Sequence, residues 1–174
     1  LAGWEWPEPL HFLIATPISH AGGTMALPTF LRGGTLVMLD KYQPDLFLQA
    51  VQKHRISATF LVPTQIYGLL DHPELGAHDL SSLRYVLYGA SPIAPARLAE
   101  AIRRLGPIFG QLYGQAEAPM TISYLRKDEH DLDRPERLQS CGRPLLGVQV
   151  RLLDAQQREV PPGEVGELCV RGPL

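Results

Sequence analysis

Between residues 11 and 112 the chain alternates short apolar runs with stretches of helical spacing, and this alternation restricts the fold more than any other feature. His11–Thr16, Thr35–Leu39, Ala58–Val62, Leu83–Tyr88 and Ile108–Leu112 are short, rich in β-branched and aromatic residues, and bounded by Pro or Gly, which predicts buried strands. The intervals carry a different period. Thr24–Leu31 suits a short helix despite Pro28, ended at Gly33-Gly34. Pro44 opens a helix to residue 54 with Leu46, Phe47, Ala50 and Val51 on one face, and Pro63 opens another to Leu70. From Pro95 to Gly106, Leu98, Ala101, Ile102 and Leu105 mark a buried helical face, with Glu100 and Arg104 paired outside it. Strands alternating with helices predict an α/β fold, a layered and mostly parallel sheet with flanking helices. Residues 1–9 read as a Trp- and Pro-containing loop. After Met120 the pattern changes: residues 126–139 are polar, and Gln149–Leu153 and Glu167–Arg171 then read as strands joined through Pro161-Pro162-Gly163 with no helix between them. A small antiparallel β unit is expected there, so that residues 1–140 form the α/β portion and 141–174 begin a β subdomain.

Bulk properties remove several function classes. At 174 residues, 45% hydrophobic and 20% charged, the chain is long enough for one packed core. A formal net charge of −2 gives no basic footprint for nucleic acid or an anionic membrane surface. Phe12–Ala15 is far too short to span a bilayer, and no secretory leader is visible. Cys141 and Cys169 have neither metal nor redox spacing and read as small buried apolar residues; a reducing, cytoplasmic setting is expected. The first residue is Leu and the last strand falls at the end, so a piece of a longer protein is expected, its missing parts among its partners.

Familiar chemical motifs are absent: no P-loop, no dinucleotide glycine fingerprint, no hydrolase nucleophile elbow, and no histidine pair of zinc-protease spacing. The acidic run Asp128–Asp133 lacks calcium-loop spacing and reads as a solvated loop. Three strand ends hold more interest. Tyr113-Gly114-Gln115-Ala116-Glu117 follows the last parallel-type strand: either a tight turn with a solvated Glu, or a ligand site at the carboxyl edge, with a flat ring and a carboxylate close together. Gly89-Ala90-Ser91 is either a strand-to-helix turn or a bed of small residues for a flat ligand. His20 is either a surface loop histidine or a polar group at a pocket mouth.

Taken together in this order, these segments resemble the adenylate-forming superfamily of acyl-CoA synthetases, peptide-synthetase adenylation domains and firefly luciferase. Tyr113–Glu117 is similar to its Y-G-x-T-E motif, Tyr88–Ile93 to the preceding glycine/alanine motif, and Pro17–Gly22 to its P-x-x-H segment. Cys141–Pro144 and Pro162–Leu168 resemble the downstream core. The flavour is that of fatty acyl-CoA synthetases. The resemblance implies ATP, Mg²⁺, coenzyme A and a carboxylic acid as ligands: the acid attacks the α-phosphate of ATP, and a thiol then displaces AMP. It further implies catalytic roles for Glu117, as Mg²⁺ ligand, and His20; nucleotide contacts at Gly89, Ala90, Ser91, Gln111, Tyr113, Gly114 and Ala116; and acyl contacts at His20, Val62, Gly114 and Gln115. Ala116 departs from the usual Thr. The family's upstream phosphate loop and its C-terminal domain with a catalytic Lys are absent, so little turnover is expected from these residues alone. The rivals are an adenylation domain loading a carrier protein and a non-catalytic nucleotide- or acyl-binding module.

Overall fold

A computed structural model describes residues 4–172; the expectations for residues 1–3 lie outside the described part. The elements in chain order are β1 (His11–Ile14), α1 (Ala21–Thr24), α2 (Ala26–Leu31), β2 (Thr35–Met38), α3 (Pro44–His54), β3 (Ala58–Leu61), α4 (Pro63–Leu70), β4 (Tyr85–Gly89), α5 (Pro95–Leu105), β5 (Phe109–Gln115), β6 (Ala118–Leu125), β7 (Arg143–Pro144), β8 (Gln149–Leu153) and β9 (Glu167–Arg171). The helix expected over 24–31 is two short helices meeting at Met25.

The main sheet has the order β2-β1-β3-β4-β5-β6-β7. Pairing is parallel from β2 to β5 and antiparallel beyond it. Right-handed crossovers explain the layering. The step from β1 to β2 runs one way along the sheet and places α1 and α2 on one face; all later steps run the other way and place α3, α4 and α5 on the opposite face. Side chains alternate accordingly. Leu13, Leu61, Val86, Tyr88 and Phe109 pack with Phe47, Leu48, Val51, Ile66 and Leu98 of those later helices. Phe12, Ile14, Phe60, Tyr85, Leu87 and Leu112 point the other way, with Met25, Met120 and Tyr124. Burial on both faces is why these strands read as near-continuous apolar runs. β8 and β9 form the small antiparallel unit, at the expected residues.

One expectation needs correcting. Tyr113–Glu117 is not a loop after a finished strand. β5 continues to Gln115, residues 116–117 make a two-residue turn, and β6 returns antiparallel from Ala118. The pairing is irregular: between the Tyr113–Ser123 and Gln115–Ala118 pairs, β5 has one residue, Gly114, opposite Pro119–Ile122 of β6. Met120 sits in this bulge with φ +59°, a conformation that costs an L-residue roughly 1–2 kcal/mol. Its backbone N and Cα lie where a side chain at 114 would start, so only glycine fits there. The Thr24 hydroxyl, which donates to the Ala21 carbonyl at 2.7 Å, lies 3.1 Å from the Met120 sulfur and so packs α1 against the bulge.

Gly114→Ala is therefore expected to destabilise the protein by about 1–3 kcal/mol, the usual cost of overpacking. Gly76 is the control, because a methyl group there would project into open space with no atom within 4 Å. Its Ala variant should stay within about 0.5 kcal/mol of wild type in urea titrations.

Candidate active site

Four strands release their chains at the same carboxyl edge. β1 leads to the loop carrying His20 and β3 to Val62, β4 ends at Gly89 ahead of Ala90 and Ser91, and β5 ends with Tyr113–Gln115. Strand order reverses between β1 and β3, and ligands of open α/β sheets bind at such edges. Gly89 pairs with Leu112. A methyl at Gly89 would run into the Leu112 carbonyl oxygen, so the two strand ends approach with no side chain between them.

Beyond this contact lies a cleft of about 750 Å³, within the range of small-molecule sites. Its walls are Gly89–Ile93 with Pro95, Gln111–Gln115, and Leu138, Gln139 and Cys141. Seven of the expected residues thus come together: Gly89, Ala90, Ser91, Gln111, Tyr113, Gly114 and Gln115. The third wall, from the 3-10 turn at Pro135–Gln139 and the residues after it, has no counterpart among them. Leu138, the lone aliphatic residue from 134 to 140, is the one signal the sequence offers for it. Cys141, expected to be buried, is half-buried and reaches the cleft.

The first wall is braced. The Tyr67 hydroxyl accepts the Ala94 N–H at 2.7 Å, and the Arg97 guanidinium stacks 5.4 Å from the Tyr67 ring centroid while bonding Asp71 and Glu100. Ala90 is held at φ +68°; strained non-glycine residues of this kind gather at ligand sites. On the third wall, the Cys141 carbonyl accepts the Ser123 hydroxyl at 2.7 Å.

Other expected residues stand apart from the cleft. Ala116 and Glu117 are exposed at the hairpin turn and do not line it. His20 is exposed at the start of α1, its Nδ1 2.9 Å from the Ser19 hydroxyl. Val62 is half-buried ahead of α4, its N–H bonded to Gln65 Oε1, and packs against the face opposite α3–α5. Among the described residues no group of three or more His, Cys, Asp or Glu side chains could hold a metal.

The acidic run is not wholly solvated. His130 is 8% exposed. Its Nδ1 lies 2.7 Å from the Arg126 carbonyl and its Nε2 2.9 Å from the Tyr88 hydroxyl. The Gln111 amide oxygen lies 3.3 Å from the same hydroxyl. Burial lowers the His130 pKa below 6.5, opposed by the Arg126 carbonyl bond and by Glu129 and Asp128, and pushes the Tyr88 phenol far up.

The sign of the resulting pH effect is fixed. Above pH 6.5 His130 is neutral in both folded and unfolded chains, and its contribution is complete. As pH falls through 6.5 the unfolded chain takes up a proton that the folded one refuses, and stability falls. Urea titrations should show wild type losing up to about 1.4 kcal/mol per pH unit more than His130→Gln over the acid side of that value; parallel pH profiles would count against a buried neutral imidazole.

Comparison with known proteins places this geometry. Residues 4–174 match the sequence pattern of the family described as AMP-binding enzyme. The chain is 55% identical, over all 174 residues, to a medium/long-chain-fatty-acid–CoA ligase, FadD8, of Mycobacterium tuberculosis, of which it covers 30%. It superposes with TM-score 0.88 and 44% identity on the amide bond synthetase McbA from Marinactinospora thermotolerans, 95% of this chain against 33% of that one. The O-succinylbenzoate coenzyme A synthetase MenE of Bacillus subtilis, solved with ATP and a magnesium ion, aligns at TM-score 0.78 and 28% identity over 96% of this chain and 34% of that one. The chain therefore spans about a third of the length of these relatives.

Proposed function

This chain belongs to the AMP-binding enzyme family, and we propose that it is the nucleotide-gripping part of an ATP-dependent acid–thiol ligase, which activates a fatty acid as its acyl-adenylate and passes the acyl group to coenzyme A. The observation that carries this reading is the single cleft shared by the Gly89–Ser91 and Tyr113–Gln115 segments. A flat base has the small residues Gly89–Ser91 on one side and the half-buried Tyr113 ring on the other to lie against. A solved relative of this fold holds ATP and magnesium, which supports a nucleotide as ligand.

Glu117 stands just beyond the cleft at the hairpin turn. One carboxylate is a sufficient protein contribution to Mg²⁺, which keeps water and phosphate oxygens as its other ligands. When bound, that ion would neutralise charge building on the α-phosphate. Ala116 leaves this turn without the hydroxyl that the family usually places beside the phosphates. His20 and Val62 follow β1 and β3, the two strands between which the order reverses, and the acid's carboxylate and chain are assigned to that edge. The two free cysteines accord with the cytoplasm as the working compartment.

The test uses the full-length protein. Pyrophosphate exchange should appear with medium- or long-chain fatty acids, and the adenylate should be discharged by coenzyme A rather than by a carrier protein or an amine. Exchange with no acid, or discharge to a carrier or an amine alone, would overturn the reading. Glu117→Gln should lower exchange roughly 10- to 100-fold, the value of one interaction with a charged group. Ala116→Thr should raise the exchange rate or leave it unchanged; a large drop would mean that a hydroxyl has no place at this turn.

A further inference from the structure

A polar chain, buried at His130 and Tyr88, runs behind the cleft wall and ends on Gln111: Arg126 carbonyl, His130, Tyr88, Gln111. Its proton directions follow from which atoms carry hydrogen. A carbonyl only accepts, so His130 Nδ1 bears the proton in the 2.7 Å contact with Arg126. A neutral imidazole then has a bare Nε2, which accepts from Tyr88 at 2.9 Å. Tyr88 has a single hydroxyl proton, and it is committed to that nitrogen. It cannot also serve the Gln111 oxygen at 3.3 Å. A half-turn of the Gln111 amide about its last bond resolves the conflict: the NH₂ group donates to the phenol oxygen, and the carbonyl oxygen turns toward the cleft that Gln111 lines.

We propose that Tyr88 and His130 are positioning residues that fix the Gln111 amide with its oxygen facing the cleft, so that this wall selects a ligand presenting an N–H donor. Both rings are buried, and the edge-to-face contacts of Tyr88 with Phe109, 6.3 Å between centroids, and with His130, 5.7 Å, help hold them in place. The relay thus has one low-energy direction. It deepens the ligase reading and rests on it for the identity of the ligand. An amino-purine offers the required donor; an oxo-purine puts a carbonyl oxygen against a carbonyl oxygen. The amide orientation itself does not depend on what binds.

The experiment has two arms on the full-length protein. In the first, ATP and ITP binding are compared by calorimetry. Tyr88→Phe keeps the buried ring, frees the Gln111 amide to rotate, and should reduce the ATP-over-ITP preference on the order of tenfold, the worth of one hydrogen bond. Gln111→Met should reduce it equally, and the double variant no further, because Tyr88 acts through Gln111. An unchanged preference in a natively folded Tyr88→Phe, or additive losses, would overturn the proposal. In the second arm, ¹⁵N spectra of histidine-labelled protein, assigned with His130→Gln, should show His130 protonated at Nδ1 and bare at Nε2 at neutral pH. A proton on Nε2 would overturn it without reference to any ligand. If this signature is present and wild-type protein binds neither nucleotide, the ligase reading falls and the amide orientation stands.

Discussion

The parallel ladder between β4 and β5, closing with Gly89 opposite Leu112, is the contact on which the cleft depends. Adjacent strands of a sheet run about 4.8 Å apart, and here no side chain intervenes at the end of the pair. Two chain segments far apart in sequence, 89–91 and 113–115, are thereby delivered to one point on one edge. Residues around them then maintain the gap. The Tyr67–Arg97 stack pins the first segment, the β5–β6 bulge shapes the second, and Ser123 holds the Cys141 strip that closes the third side.

Much of this is legible in the chain because it is written locally. Each parallel strand is an apolar run with Pro or Gly at one of its ends or just beyond, and each α-helix after β2 starts on a proline, so period and punctuation agree. The hairpin is different. Ala118–Leu125 contains Pro119, and the extra residues at the bulge spoil the in–out alternation by which a strand is recognised. Its strand character comes from pairing with β5, which no local window shows.

The site follows the same division. The residues at Gly89–Ser91 and Tyr113–Gln115 announce themselves as small and aromatic groups at strand ends. Leu138–Cys141 does not, since it lies in a non-periodic stretch and acquires its place only by packing against α5 and β6. His130 is hidden more deeply. Four of its five companions in Asp128–Asp133 are carboxylates, and composition there speaks for water. The imidazole turns inward because Tyr88 and the Arg126 carbonyl satisfy both of its nitrogens.

The sulfur of Met120, met by the Thr24 hydroxyl, joins the hairpin to the segment that begins at His20. A left-handed residue anchored in this way gives the hairpin little independent play. The hairpin and the first helix after β1 are therefore packed against each other, and the two ends of the binding edge share one contact. A longer side chain at Thr24 or an inserted residue in the hairpin would have to be absorbed at this contact, so Ser19–Thr24 and the hairpin constrain each other's size.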